Sequence, residues 1–205
     1  VWGDLYLLIA AVLSLAIIIK NYPNGVRDIK VTSILALVVY VASELILIIE
    51  NEIIILLKPI LFITALSLVF VILLMLIRRL KPVVFQYPYP IVFLPLLLPV
   101  SFLFVMDTII VEQIILASIQ AVVIVVLFLL TAGYGHYLDK RGGMYFGLLL
   151  LITSFILYWM VKEVVSLEQW VWKLTLSFGM ILTIYSLTGL LVNKLDETIE
   201  EEDYI

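Results

Sequence analysis

Long charge-free stretches dominate the chain and recur with short polar breaks between them. They cover about 5–19, 31–49, 53–77, 90–106, 113–132, 142–161 and 174–192, with Glu44 interrupting the second and Lys58 near the start of the third. Most approach the ~20 residues that a helix rising ~1.5 Å per residue needs to cross a ~30 Å hydrocarbon core. Runs such as LLLLI and VVIVVLFLL lack the alternation of a transmembrane β-strand. Lipid offers the backbone no hydrogen-bond partner, so each run is predicted to be helical. The expected fold is an all-α integral membrane protein, a bundle of seven transmembrane helices over 1–194. An acidic cytoplasmic tail at 195–205 is expected to be disordered.

The breaks carry turn chemistry. Tyr22-Pro23-Asn24-Gly25 reads as a turn in the first connection. FQYPYP leads into the fourth run, where Pro95 and Pro99 follow. Proline lacks a backbone donor and clashes with the preceding turn, so this helix is expected to kink or unwind locally, a candidate hinge. Gly133, Gly135, Gly142 and Gly143 bracket the fifth connection and suit a tight turn. No internal repeat is evident, which argues against an inverted-repeat transporter.

Composition agrees with the pattern. Of 205 residues, 65% are hydrophobic and 14% charged, with a mean hydropathy of +1.26, against about 25% charged in a soluble domain. Seven spans use about 140 positions, and the rest suffices only for connections and tails. Asp4 stands where a basic leader region would be, so no cleavable signal peptide is expected. The absence of cysteine excludes disulfide, thiolate and iron–sulfur chemistry within the chain. A single histidine, His136, excludes a multi-histidine metal site, and no cofactor is expected.

The net charge of -4 hides an asymmetry. Nine of the twelve Lys and Arg (Lys20, Arg27, Lys30, Arg78, Arg79, Lys81, Lys140, Arg141 and Lys194) fall on the odd-numbered connections and after the last span. The even-numbered connections hold Glu50 and Glu52, then Asp107 and Glu112, then a mixture of Lys162, Glu163, Glu168 and Lys173. Positive charge marks the cytoplasmic side, so the N-terminus is expected outside and the C-terminus inside. Trp2, Trp159, Trp170 and Trp172 all fall at the outer boundary under that topology, where amphipathic rings anchor.

Ionisable groups within spans are the default functional candidates, because burying one costs about 2.5–3.5 kcal/mol. Glu44 and Lys58 would lie at similar depth on an antiparallel hairpin centred near Asn51, and they are expected to pair. Gln113 and Gln120, seven apart on one helix face, could complete an outward-facing polar cluster, although interhelical amide hydrogen bonds are the commoner explanation of such a pair. Thr175, Gly179, Thr183 and Ser186 form a stripe of small residues that reads as a packing seam. The carboxylates Asp107, Glu112, Glu163 and Glu168 read as a solvated outer rim, and His136 as a loop residue without a role. The segment DETIEEEDYI carries six carboxylates; anionic lipid would repel it, leaving it to a basic partner.

Three families of similar helix number or size differ at specific positions. Retinal proteins hold a Schiff-base lysine in the middle of helix seven, but no lysine occurs between 174 and 193 and Lys173 stands at the entrance. LKPILF at 57–62 is similar to a phrase of the lysoplasmalogenase-like family, whose intramembrane Gly-Asp and Ser-Asp pairs have no counterpart here. Seven-helix input domains of histidine kinases share the outside-in topology, but no kinase sequence follows. The functional expectation is a non-enzymatic accessory, scaffold or sensory subunit of a membrane complex, in a bacterial cytoplasmic membrane. Membrane lipids and protein partners bound through helix faces and the acidic tail are expected, and no nucleic acid. A small transporter or channel is the alternative, and a lipid-modifying enzyme using Glu44 as a base is the weakest reading.

Overall fold

The structure, a computed structural model, describes residues 2–46, 57–80, 87–104, 109–135, 141–161 and 169–202. Among them there are helices and turns and no strand. The α-helices are α1 (Trp2–Asn21), α2 (Arg27–Leu45), α3 (Leu57–Leu80), α4 (Leu97–Leu103), α5 (Ile109–Tyr134), α6 (Arg141–Ile156) and α7 (Gln169–Glu202). Five segments are long and apolar enough to cross a membrane: Gly3–Asn21, Leu57–Leu80, Ile110–Tyr134, Gly142–Val161 and Trp170–Leu191. The described part of the second run is not among them, because α2 carries Arg27, Asp28, Lys30 and Glu44.

The fourth run is not an α-helix throughout. Tyr89–Leu96 winds as a 3-10 helix with Pro95 inside it, and only then does α4 begin. Prolines at 88, 90, 95 and 99 each lack the N–H that an α-helical ladder would use, so the tighter winding carries the chain between them. The helical backbone of α7 continues to Glu202, past the apolar stretch. Extending an existing helix adds one hydrogen bond per residue without a new nucleus, and Leu, Lys and Glu are good helix formers.

The chain divides into two compact units, 1–30 with 127–205, and 31–126. In the first, α7 packs along both α1 and α6. The buried positions of α1 are Leu7, Ala10, Ala11, Ser14 and Ile18, the three- and four-residue spacing of one helix face. A β-carbon on Gly3 would lie 3.1 Å from the Trp170 backbone, so α1 and α7 start side by side. At the other end of α1, the Lys30 ammonium donates to the carbonyls of Ile19 (2.8 Å) and Tyr22 (3.4 Å). That satisfies acceptors which a helix end leaves open and places a cation at the negative pole.

The antiparallel α6–α7 contact is built from small residues. A β-carbon on Gly147 would stand 2.8 Å from Thr183 Oγ1 and 3.0 Å from the Thr183 nitrogen. One on Gly143 would stand 3.2 Å from Ser186 Oγ, and one on Gly179 would stand 3.0 Å from Leu151 Cδ2. Close backbone approach of this kind is how helices gain dispersion energy where the solvent is as apolar as their side chains.

The second unit relies on large side chains instead. α3 buries Ile63, Leu68, Val71, Ile72, Leu73, Met75, Leu76 and Leu80, and it contacts the 3-10 segment and α4. Tyr40 of α2 meets Phe62 of α3 with ring centroids 6.3 Å apart. Across both units the outward faces remain apolar: Val12 is 64% exposed, Leu97 62%, Ile110 69% and Leu129 61%. Water would penalise each of these by a kcal/mol or more, ~25 cal/mol per Å², whereas hydrocarbon would not.

Candidate functional site

The most distinctive chemistry lies where α1 and α7 begin. Lys173, one turn into α7, is only 6% exposed. Its ammonium donates to Asp4 Oδ1, in the first turn of α1, forming an ion pair between residues 169 positions apart. Gly3 makes this possible: a β-carbon there would sit 2.7 Å from Lys173 Cδ, so only glycine lets the lysine stem pass. The ammonium also lies 5.4 Å from the centre of the Trp172 ring, a cation–π contact that gains strength away from water.

The aromatic surround comes from the end of α6. There Leu157–Val161 forms one turn of π-helix, a local widening often found at functional sites. Tyr158 packs on Trp172 at 4.7 Å and on Trp159 at 4.8 Å between ring centroids. Ser154, buried one turn earlier, donates from its Oγ to the Trp172 carbonyl at 3.0 Å, and Ser177 Oγ donates to the Lys173 carbonyl at 2.7 Å. The Trp172 indole Nε1 is buried without a hydrogen-bond partner among the described residues. The arrangement holds one cation, one carboxylate and a ring cluster in fixed positions. Among the described residues it contains no nucleophile–base pair of the kind used in acyl or phosphoryl transfer.

The residues singled out from the sequence fall elsewhere. Glu44 on α2 and Lys58 on α3 are both half-buried, and no ion pair between them is formed. The hairpin centre near Asn51 lies outside the described residues; the two helices meet through the rings of Tyr40 and Phe62. On α5, Gln113 is exposed and Gln120 half-buried, so the two do not share one environment. Glu112 is half-buried near the start of the same helix. Pro95 lies inside the 3-10 segment and Pro99 in α4.

Gly179, Thr183 and Ser186 contact α6 as described, while Thr175 Oγ1 donates to the Trp172 carbonyl of its own helix at 2.8 Å. Thr183 Oγ1 and Ser186 Oγ, together with Ser14 Oγ on α1, are buried without hydrogen-bond partners among the described residues. His136, Asp107, Glu163 and Glu168 lie outside the described residues. Among the described residues no group of three His, Cys, Asp or Glu side chains could hold a metal ion.

No protein-family model, curated protein or solved structure matches this chain. The site therefore has to be read from its own geometry. The sequence reading missed the Asp4–Lys173 pair, although a signal was present. Both charges sit within five residues of the start of an apolar helix, and both helices begin on the same side of the expected topology.

Proposed function

We propose that this chain is a seven-span integral protein of a bacterial cytoplasmic membrane, with its N-terminus outside and its C-terminus inside. It serves as a non-enzymatic sensory or docking subunit of a membrane complex. The observation carrying this reading is the length of α7. At 34 residues and ~1.5 Å per residue it extends about 51 Å, well beyond a ~30 Å hydrocarbon core. One continuous helix thus joins the Lys173–Asp4 pair at its start to a segment containing Asp196, Glu197, Glu200 and Glu201 near its end. The sequence concentrates six carboxylates in 196–203, a charge run suited to a cationic surface on a partner protein.

Support for the remaining two spans comes from winding and charge. The 3-10 turns rise ~2.0 Å per residue, so Tyr89–Leu103 extends about 26 Å although it is short. α2 begins among the cations of the first connection, and Arg27, Asp28 and Lys30 lie at its start, where side chains reach water. A transport path beside Glu44 and Lys58 would have to follow α3, whose buried face from Leu68 to Leu76 is wholly apolar; the docking reading is therefore preferred. The test is gentle detergent extraction of the full chain from its native membrane. Stoichiometric partner proteins should co-purify, and changing Asp196, Glu197, Glu200 and Glu201 to amides should release them. A chain that elutes alone, with the amide variant indistinguishable, contradicts the proposal.

A further inference from the structure

A different cluster, in the second unit, has the makings of a ligand site. Arg78 stands in the last turn of α3, about 31 Å along the helix axis from Leu57. That is the distance from one edge of a hydrocarbon core to the other. Its Nε donates to the Tyr87 carbonyl at 3.0 Å, and its guanidinium carbon lies 5.3 Å from the centre of the Tyr89 ring. Tyr87 is itself strapped to α3, because its hydroxyl donates to the Leu74 carbonyl one turn before Arg78. The guanidinium is thus held at its Nε and over a ring, and among the described residues neither terminal nitrogen has a protein partner. A guanidinium aligned in this way offers a planar donor fork suited to two oxygens of one phosphate. Tyr89 and Pro90 are exposed beside it, at the start of the next apolar segment.

We propose that Arg78, oriented by the Tyr87 carbonyl and the Tyr89 ring, binds the phosphate of an anionic phospholipid at the membrane interface. The acyl chains would lie along the exposed apolar residues of the 3-10 segment, Ile91 and Leu94. The phosphate would accept both terminal N–H groups. Fork recognition, unlike simple attraction of a cation to an anionic surface, distinguishes arginine from lysine at the same position.

The experiment is native mass spectrometry of the full chain exchanged into vesicles of equimolar phosphatidylglycerol and phosphatidylcholine, counting the lipids retained on release. The wild type should retain phosphatidylglycerol selectively. Arg78→Gln should lower that retention about tenfold, and Arg78→Lys severalfold despite keeping the charge. Tyr89→Leu, which leaves Arg78 and its bond to Tyr87 in place, should lower it about threefold; this variant carries the test if changes at Arg78 impair folding. Arg79→Lys should leave retention unchanged. Retention unchanged by Arg78→Lys, as by Arg79→Lys, would show unspecific charge attraction and overturn the proposal. So would retention by Arg78→Gln at the wild-type level, or displacement of the lipid by an equal concentration of inorganic phosphate.

Discussion

The two units hold their helices together by different means. Where α6 meets α7, Gly143, Gly147 and Gly179 let backbones approach until Thr183, Ser186 and Leu151 touch the facing helix. Where α3 packs, the interior is mostly Leu, Ile, Val and Met, with only Ala65 and Ser67 small among its buried residues. In water both would be driven by the hydrophobic effect. In hydrocarbon that drive is absent, so only the quality of contact remains. The small-residue seam brings in many backbone atoms at short range, whereas the large-residue core depends on interdigitation. The first unit also contains a buried ion pair, and the second places its fixed cation, Arg78, at a helix end.

This contrast can be broken at several points. The largest effect is expected at Asp4→Asn. Removing one partner of a buried pair costs about 3–5 kcal/mol, and the partial exposure of Asp4 (34%) places the loss near the lower limit, ~2–3 kcal/mol. Unfolding in mixed micelles by added denaturing detergent measures it. Asp4→Asn with Lys173→Met should recover most of the loss, because no charge is then left unpaired; losses that simply add would show that the two groups do not interact.

Next comes Gly147→Ala. Its new methyl would meet Thr183 Oγ1 at 2.8 Å, so overpacking should cost about 1–3 kcal/mol. Gly133→Ala meets nothing within 4 Å and should stabilise α5 by about 0.5–1 kcal/mol through helix propensity. If both glycines responded alike, the seam would not depend on close approach.

The smallest effect concerns pH. Burial pushes the Tyr87 phenol above its usual range, while the nearby Arg78 charge opposes the shift. The folded state therefore holds this proton more tightly than the unfolded chain does. Its contribution to stability is present below the ordinary tyrosine range and declines as pH rises through and above it. Phenolate absorbance should show a late-titrating component that Tyr87→Phe removes.

Much of the helical layout is legible in the sequence, because a segment crossing lipid has to be both apolar and hydrogen-bonded within itself. The run 113–132 lies within α5, and 142–161 spans α6 and the π-turn that follows. Prolines in the fourth run signal a departure from α-geometry, but the 3-10 winding of Tyr89–Leu96 depends on the spacing of Pro88, Pro90 and Pro95. The candidate site was harder to read. Spacing along one helix shows which residues share a face, as it did for Gly179, Thr183 and Ser186, but not which helix that face meets. Asp4 and Lys173 each look like an end-of-helix charge until α1 and α7 are laid side by side. Arg78 likewise reads as one of several interfacial cations until the Tyr87 carbonyl and the Tyr89 ring are seen to orient it.

The proposed topology crosses the membrane seven times with the cationic connections inside. Since the chain has no cysteine, single cysteines at positions 24, 107, 136, 163 and 200 can be labelled one at a time in intact cells with a membrane-impermeant maleimide. The account predicts labelling at 107 and 163, and protection at 24, 136 and 200 until the membrane is opened. Labelling of 200 from outside, or of 24 and 163 from the same side, would contradict it.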